Sequence, residues 1–141
     1  MSENNNQLQK KDSVFSELQM QHIVFDKLQF ERSGFRSEQN TEIQMNVQTA
    51  INKEDEGKYR VSLHVAVVSE GEYTADVWVS GFCEISEDCE IKEDLLKTNA
   101  VAILFPYVRS ELTLLTAQPE TTPIVLPTLN INALLNQLND N

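Results

Sequence analysis

The sequence predicts an α+β domain: a four-stranded antiparallel sheet with C-terminal helices packed on one of its faces. Three observations lead there. Apolar and polar residues alternate over four successive stretches between about Leu18 and Ile85, the period-two pattern of half-buried strands. Short turn clusters, Glu54-Asp55-Glu56-Gly57 and Ser69-Glu70-Gly71-Glu72, separate the last three stretches at hairpin distance. After Ile91 the pattern changes to helical spacing. Strands first and helices afterwards is the order of an α+β domain, not of alternating parallel units.

The first 13 residues are polar and expected to form a disordered tail (1–13) ahead of a single domain over 14–141. The first strand, about Leu18 to Glu31, steps through Leu18 and Met20, then Ile23 and Phe25, then Leu28 and Phe30. Its parity flips twice, so either the strand carries bulges or both faces are partly covered. Ser33-Gly34 breaks it, and a polar loop containing Phe35 leads to Glu42. The second strand alternates cleanly, with Ile43, Met45, Val47, Thr49 and Ile51 opposite Glu42, Gln44, Asn46 and Gln48. A charged hairpin loop is expected over Lys53 to Lys58. The third strand sets Tyr59, Val61, Leu63, Val65 and Val67 inward, opposite Arg60, Ser62 and His64. In the fourth, about Tyr73 to Ile85, the inner set is Tyr73, Ala75, Val77, Val79 and Cys83. Trp78 and Phe82 therefore fall on the face that is polar elsewhere, with Thr74, Asp76 and Ser80. Large aromatics there call for a cover: a subunit interface, a ligand or partner surface, or the edge of the crossover loop.

Glu87, Asp88, Glu90, Glu93 and Asp94 gather where the helical pattern begins, a favourable place beside the positive end of a helix dipole. The pattern runs from about Ile91 to Gln118. Leu104, Val108, Leu112 and Leu115 form one stripe, which Ile103, Tyr107 and Leu114 widen. Pro106 lies inside it, removing a donor and crowding the Ala102 carbonyl at about 3 kcal/mol. A kink, or a second helix with the proline in its first turn, is expected there. Tyr107 and Arg109 read as braces of the broken helix. Pro119 and Pro123 end it, and Ile124-Val125-Leu126 is too apolar to stay wholly in water. A last short helix, capped by Asn130 or Asn132, aligns Ile131, Leu134, Leu135 and Leu138.

Twenty-two acidic against eleven basic residues give a net charge of −11. Such a field disfavours nucleic acid and anionic lipid, and no basic patch interrupts it. No apolar run approaches a membrane span, and the polar N-terminus lacks the apolar core of a secretory signal. A cytoplasmic protein without nucleic-acid partner or membrane insertion is expected. Cys83 and Cys89 are then idle thiols. His22 and His64 lack ligand-spaced companions, and neither metal nor cofactor is expected. No phosphate-cradling loop, nucleophile elbow or zinc-protease motif occurs, so an enzyme is not expected.

Three stretches, in order, carry a family resemblance. Leu18-Gln19-Met20-Gln21-His22-Ile23, followed by Leu28-Gln29-Phe30-Glu31, resembles the first strand of the SecB export chaperones. Ile103-Leu104-Phe105-Pro106-Tyr107-Val108-Arg109 resembles that family's Ile-Leu-Phe-Pro-Tyr hallmark. Pro127 with Asn130-Ile131-Asn132-Ala133-Leu134-Leu135 resembles its C-terminal signature, with one extra residue after the proline. The resemblance covers most of residues 18 to 138. It implies a homo-oligomer, a dimer or dimer of dimers, that binds unfolded polypeptide or preprotein in apolar grooves.

Carried over by position, Phe35, Trp78, Phe82, Leu126, Ile131 and Leu135 are the implied polypeptide contacts. Packing within the chain or its oligomer is the plain alternative for each. Burial of client surface, at about 25 cal/mol per Å², is non-directional and tolerates many clients. The implied surface for docking to the export motor uses acids on the first and fourth strands. Asp26, Glu31 and Asp76 are its candidates, while Lys27 reverses the sign at one family position. The resemblance also extends to uncharacterised SecB-like proteins of Gram-positive cocci and to SecB-like chaperones with one dedicated client. An oligomeric interaction or regulatory protein that keeps the fold without chaperone or export activity is the remaining reading.

Overall fold

The computed structural model describes residues 17–38 and 42–127. Four strands, β1 (Gln19–Arg32), β2 (Ile43–Asp55), β3 (Lys58–Ser69) and β4 (Tyr73–Glu84), form one antiparallel sheet in the order β1-β4-β3-β2. The chain leaves β1 at one edge, crosses past the ends of β4 and β3, and starts β2 at the other edge. After β4, a helical turn (Lys92–Asp94) and a π-helical turn (Leu95–Asn99) lead into α1 (Ala100–Thr116). α1 packs on one face of the sheet, against β4, β3 and β1. This is the α+β architecture that the patterning predicts. The expected last helix, with Ile131 and Leu135, and the N-terminal tail lie outside the described residues.

The double parity flip of β1 has a structural cause. Its pairing with β4 slips between Met20 and His22 and again between Phe25 and Lys27, leaving Gln21 and Asp26 as the extra residues of two bulges. Each bulge returns the following alternation to the helix side. Met20, Ile23, Phe25, Leu28 and Phe30 thereby stand opposite Cys83, Gly81, Val79, Val77 and Ala75. Without the slips, part of this apolar set would have turned outward.

The core lies where the central strands meet α1. Val61, Val65, Ala75, Val77 and Val79 of the sheet and Leu104, Val108 and Leu112 of the helix are wholly buried. Gly81 allows the close approach: a Cβ there would meet Met20 Sδ at 2.5 Å and Leu104 Cδ2 at 3.0 Å. The wider helical stripe is covered only along its centre, and Ile103, Tyr107 and Leu114 are exposed.

α1 continues through Pro106; no second helix starts at the proline. Pro106 and Ala102, whose carbonyl loses its helical partner, both stand on the exposed side, where an unpaired carbonyl costs least. The hairpin loop between β2 and β3 is shorter than expected. β2 continues to Asp55, and only Glu56-Gly57 turn, with Gly57 at φ 69°. That left-handed conformation is open to glycine at little cost in a tight hairpin.

Candidate functional site

Arg32 ends β1 and organises the adjoining crossover loop. Its Nη1 donates to the carbonyls of Gly34 (2.9 Å) and Glu120 (3.0 Å), and its Nη2 to the Pro119 carbonyl (2.6 Å) and the Thr121 hydroxyl. A planar guanidinium can serve several acceptors at once because its five N–H groups diverge at fixed angles. The Arg36 amide also donates to the Glu120 carbonyl, at 3.1 Å. Glu120 holds φ 57°, a left-handed conformation that these bonds offset.

Glu72, in the β3–β4 turn, holds the same loop from within. Its carbonyl accepts from the amides of Ser33 (2.9 Å) and Gly34 (3.1 Å). Its carboxylate accepts from the Ser69 hydroxyl (2.7 Å) and the Ser37 amide (2.6 Å). The Ser69 bond first and the Ser37 bond second keep the Glu72 carboxyl below its ordinary range, with Arg36 and Arg32 adding attraction. Phe35 lies in this loop with 76% of its surface in water. A cleft of ≈780 Å³ opens between the loop, the start of β2 and the segment after α1, lined in part by Arg36, Ile43, Glu72, Tyr73, Thr122 and Pro123.

The segment after α1 is fixed by side chains instead of a sheet ladder. The Thr113 hydroxyl donates to the Ile124 carbonyl (2.8 Å), and the Ile124 amide donates to the Thr116 hydroxyl (2.8 Å). Arg109 Nε donates to the Leu126 carbonyl (3.1 Å), so Arg109 braces this segment against the helix. Ile124 and Leu126 point into the core, while Val125 is 74% exposed. Leu126 is thus covered by its own chain and not open on a groove wall.

The other face of the sheet carries Trp78 and Phe82. Trp78 is flanked from both neighbouring strands: the His64 ring stacks on it at 4.1 Å and 9°, and Lys27 Nζ lies 4.9 Å from its ring centroid. His64 Nε2 lies 2.8 Å from Asp76 Oδ1. The Arg60 guanidinium lies 5.4 Å from the Phe82 ring centroid. Asp26, at its bulge, is directed over this face, where it accepts from Arg60 Nη2 (2.8 Å) and from the Ser80 hydroxyl. Glu31 stands exposed opposite Thr74. Trp78, Phe82, Asp26 and Asp76 are therefore neighbours on one face, Phe35 is on the crossover loop, and Leu126 is inside the core on the opposite face. Ile131 and Leu135 lie outside the described residues.

Sequence reasoning missed three organisers: Arg32, Glu72 and Glu87. Glu87 accepts from the Gly57 amide (2.7 Å), the Tyr59 hydroxyl (3.0 Å) and the ammonium groups of Lys92 (2.8 Å) and Lys53 (3.2 Å). The Lys92 bond, then the Gly57 amide, lowers its carboxyl to about 2. It ties the β2–β3 hairpin to the helical region, although in sequence it reads as one more acid near a helix start. Burial pushes the Cys83 thiol up to about 11, and Cys89 Sγ donates to Glu17 at 3.0 Å. Among the described residues no helix is long and apolar enough to cross a membrane, and no cluster of three or more metal-ligating side chains occurs.

Comparison with known proteins adds to this geometry. An uncharacterized protein of Methanocaldococcus jannaschii is 28% identical over 103 residues, covering 66% of this chain and 65% of its own length. A SecB-like chaperone of Mycobacterium tuberculosis, solved in complex with a ChAD peptide from the HigA1 antitoxin, superimposes with a TM-score of 0.68 at 18% identity, over 84% of this chain and 95% of that one. A protein of unknown function from Streptococcus agalactiae gives a TM-score of 0.45 at 13% identity, over 79% and 97%. The family model described as preprotein translocase subunit SecB matches residues 11–141. With that match spanning nearly the whole chain, the chain belongs to the SecB family.

Proposed function

We propose that the protein acts by binding polypeptide, as a chaperone that holds extended apolar segments of a client, and not by catalysis. Phe35 is the observation that carries this reading. It is a large aromatic left 76% exposed on a loop that Arg32 and Glu72 tie down with hydrogen bonds. A loop that only crosses the end of a sheet gains nothing from such a side chain. A client that covers it gains about 25 cal/mol per Å² of apolar surface removed from water. Family membership supports the reading, and the antitoxin peptide held by the Mycobacterium tuberculosis chaperone supports a dedicated client.

A homo-oligomer in the cytoplasm fits the same proposal, since Ile103, Tyr107 and Leu114 leave an apolar stripe bare on the outer side of α1. Docking to an export motor through Asp26, Glu31 and Asp76 is the weaker part: Asp26 is already paired with Arg60, and Asp76 is bonded to His64. An interaction protein without general chaperone activity is favoured by Trp78, whose ring is covered by Lys27 and His64 of its own chain.

The test is light scattering from a chemically denatured client with this protein titrated in, followed by size exclusion of the mixture. Suppression near stoichiometry with a co-eluting complex is expected. Phe35→Ala is expected to weaken suppression while the unfolding free energy stays within about 0.5 kcal/mol of wild type. Absence of suppression sinks general holdase activity and leaves a dedicated partner to be sought.

A further inference from the structure

The segment after α1 lies in the core without being part of a helix or strand. It turns at Glu120, φ 57°, and runs back along the helix, so that Thr116 and Thr113 hold Ile124 while Arg109 holds Leu126. Ile124 and Leu126 are buried in the apolar core, and Val125 between them is exposed. One edge of the main chain therefore faces α1 and one set of side chains faces the core, the disposition of an extended strand. Yet among the described residues no main-chain group of residues 121–127 bonds to another main-chain group. Pro123 and Pro127 lack the donors of a sheet ladder. Side chains fix the segment instead. Arg32 holds the carbonyls of Pro119 and Glu120 and the Thr121 hydroxyl at its start, the Tyr73 hydroxyl reaches the Thr122 carbonyl at 3.5 Å, and the helix holds Ile124 and Leu126.

We propose that Ile124-Val125-Leu126 is an autoinhibitory strap: it fills its seat beside α1 as an extended client would, and a client with apolar residues two positions apart displaces it. This rests on the polypeptide-binding reading and adds that the seat is self-occupied at rest. The bonds from the helix reach only main-chain atoms, the Ile124 amide and the carbonyls of Ile124 and Leu126, which any peptide offers. The two inward side chains exchange for others of like polarity, and apolar burial is non-directional. Release at Ile124 and Leu126 leaves the Arg32 bonds to Pro119, Glu120 and Thr121 in place, so the crossover loop stays anchored. The exposed Val125 and the adjoining cleft, whose lining includes Thr122 and Pro123, give an incoming chain access to the strap. Arg32 also holds the carbonyl of Gly34, next to Phe35 in sequence, so a client seated on Phe35 lies against the clamp that anchors the strap. A tethered strap competes at high effective concentration and lowers the apparent affinity for every client by the fraction of chains whose seat is open. Segments too polar to replace Ile124 and Leu126 are thereby refused.

The test compares the full chain with its double variant Ile124→Ala and Leu126→Ala, which weakens the strap and leaves the seat intact. The probe is the capped peptide Thr-Thr-Pro-Ile-Val-Leu-Pro, a copy of residues 121–127; a twin carries serine in place of its isoleucine and leucine. The double variant is expected to bind the probe at least about tenfold more tightly than wild type, because the competing segment is weakened. It should bind the serine twin far more weakly than the probe. Leu104→Ala loosens the core at Gly81, away from the bonds of the strap, and should leave probe affinity at the wild-type level. In the unaltered chain, saturating denatured client is expected to speed hydrogen exchange at the Ile124 amide several-fold while the amides of α1 keep their rates. Probe binding by the double variant no tighter than by wild type, an equal gain in Leu104→Ala, or an Ile124 amide unchanged or slowed by client would each overturn the strap. The exchange measurement decides alone where the double variant does not fold. Suppression of client aggregation by wild type with an unmoved Ile124 amide keeps the chaperone reading and loses this one; suppression by neither chain overturns both.

Discussion

The two faces of one sheet are held by different physics. The inner face is a continuous apolar layer in which Val61, Val65, Val77 and Val79 meet Leu104, Val108 and Leu112 with no exposed surface. The outer face is half-exposed and held by pairs: Asp26 with Arg60, His64 with Asp76, and Trp78 between His64 and Lys27. Hydrophobic burial is non-directional, so the inner face tolerates a bulged strand provided that apolar side chains return to it. The outer pairs are directional, and each depends on register: His64 and Lys27 reach Trp78 because β3 and β1 set them opposite it. One face supplies most of the stability; the other supplies defined surface chemistry.

That contrast can be broken by measurement. Leu104→Ala should have the largest effect, about 2–5 kcal/mol in denaturant unfolding, because it opens a cavity against Gly81 and the central strands. Trp78→Ala should cost less, about 1–2 kcal/mol, since an aromatic stack and partial burial are lost but water can enter. Equal losses for the two variants would show that the outer face is as much core as the inner one. Asp26→Ala should cost about 0.5–1 kcal/mol, because the pair it breaks is 34–36% exposed and screened by solvent. A double-mutant cycle with Arg60→Ala reads that coupling directly.

The last test concerns Glu87, on the rim joining the hairpin to the helical region. Its folded carboxyl sits at about 2 against an ordinary 4.5, so its stabilisation is complete above pH 4.5 and disappears as pH falls towards 2. Glu87→Gln is therefore expected to flatten the acid-side fall in stability within that window, followed by circular dichroism at stepped pH. An unchanged acid profile would mean that the contacts of Glu87 add nothing to stability.

Much of this was legible in the residues, and the failures have physical causes. The parity flips of β1 told of bulges, yet they could not say that Asp26 would be an extra residue turned towards Arg60 and Ser80. Trp78 was readable as an aromatic needing a cover; that the cover is Lys27 and His64 depends on the pairing of three strands. The family resemblance implied Leu126 as a polypeptide contact, whereas alternation about the exposed Val125 sends it inward. Arg32 and Glu120 lie 88 positions apart, beyond any periodicity signal.

By itself, the sequence determined the four strands, their inner apolar sets, the helical stripe on either side of Pro106 and the family. All of these rest on local spacing, turn chemistry and short contiguous motifs, which act over a few residues. Only the tertiary structure decided that β1 pairs with β4 while β2, among the described residues, pairs with β3 alone, which acids acquire partners, and that Glu72 and Glu87 hold loops together. Those outcomes depend on where the crossover carries the chain, and a contact between distant residues has no local pattern to announce it.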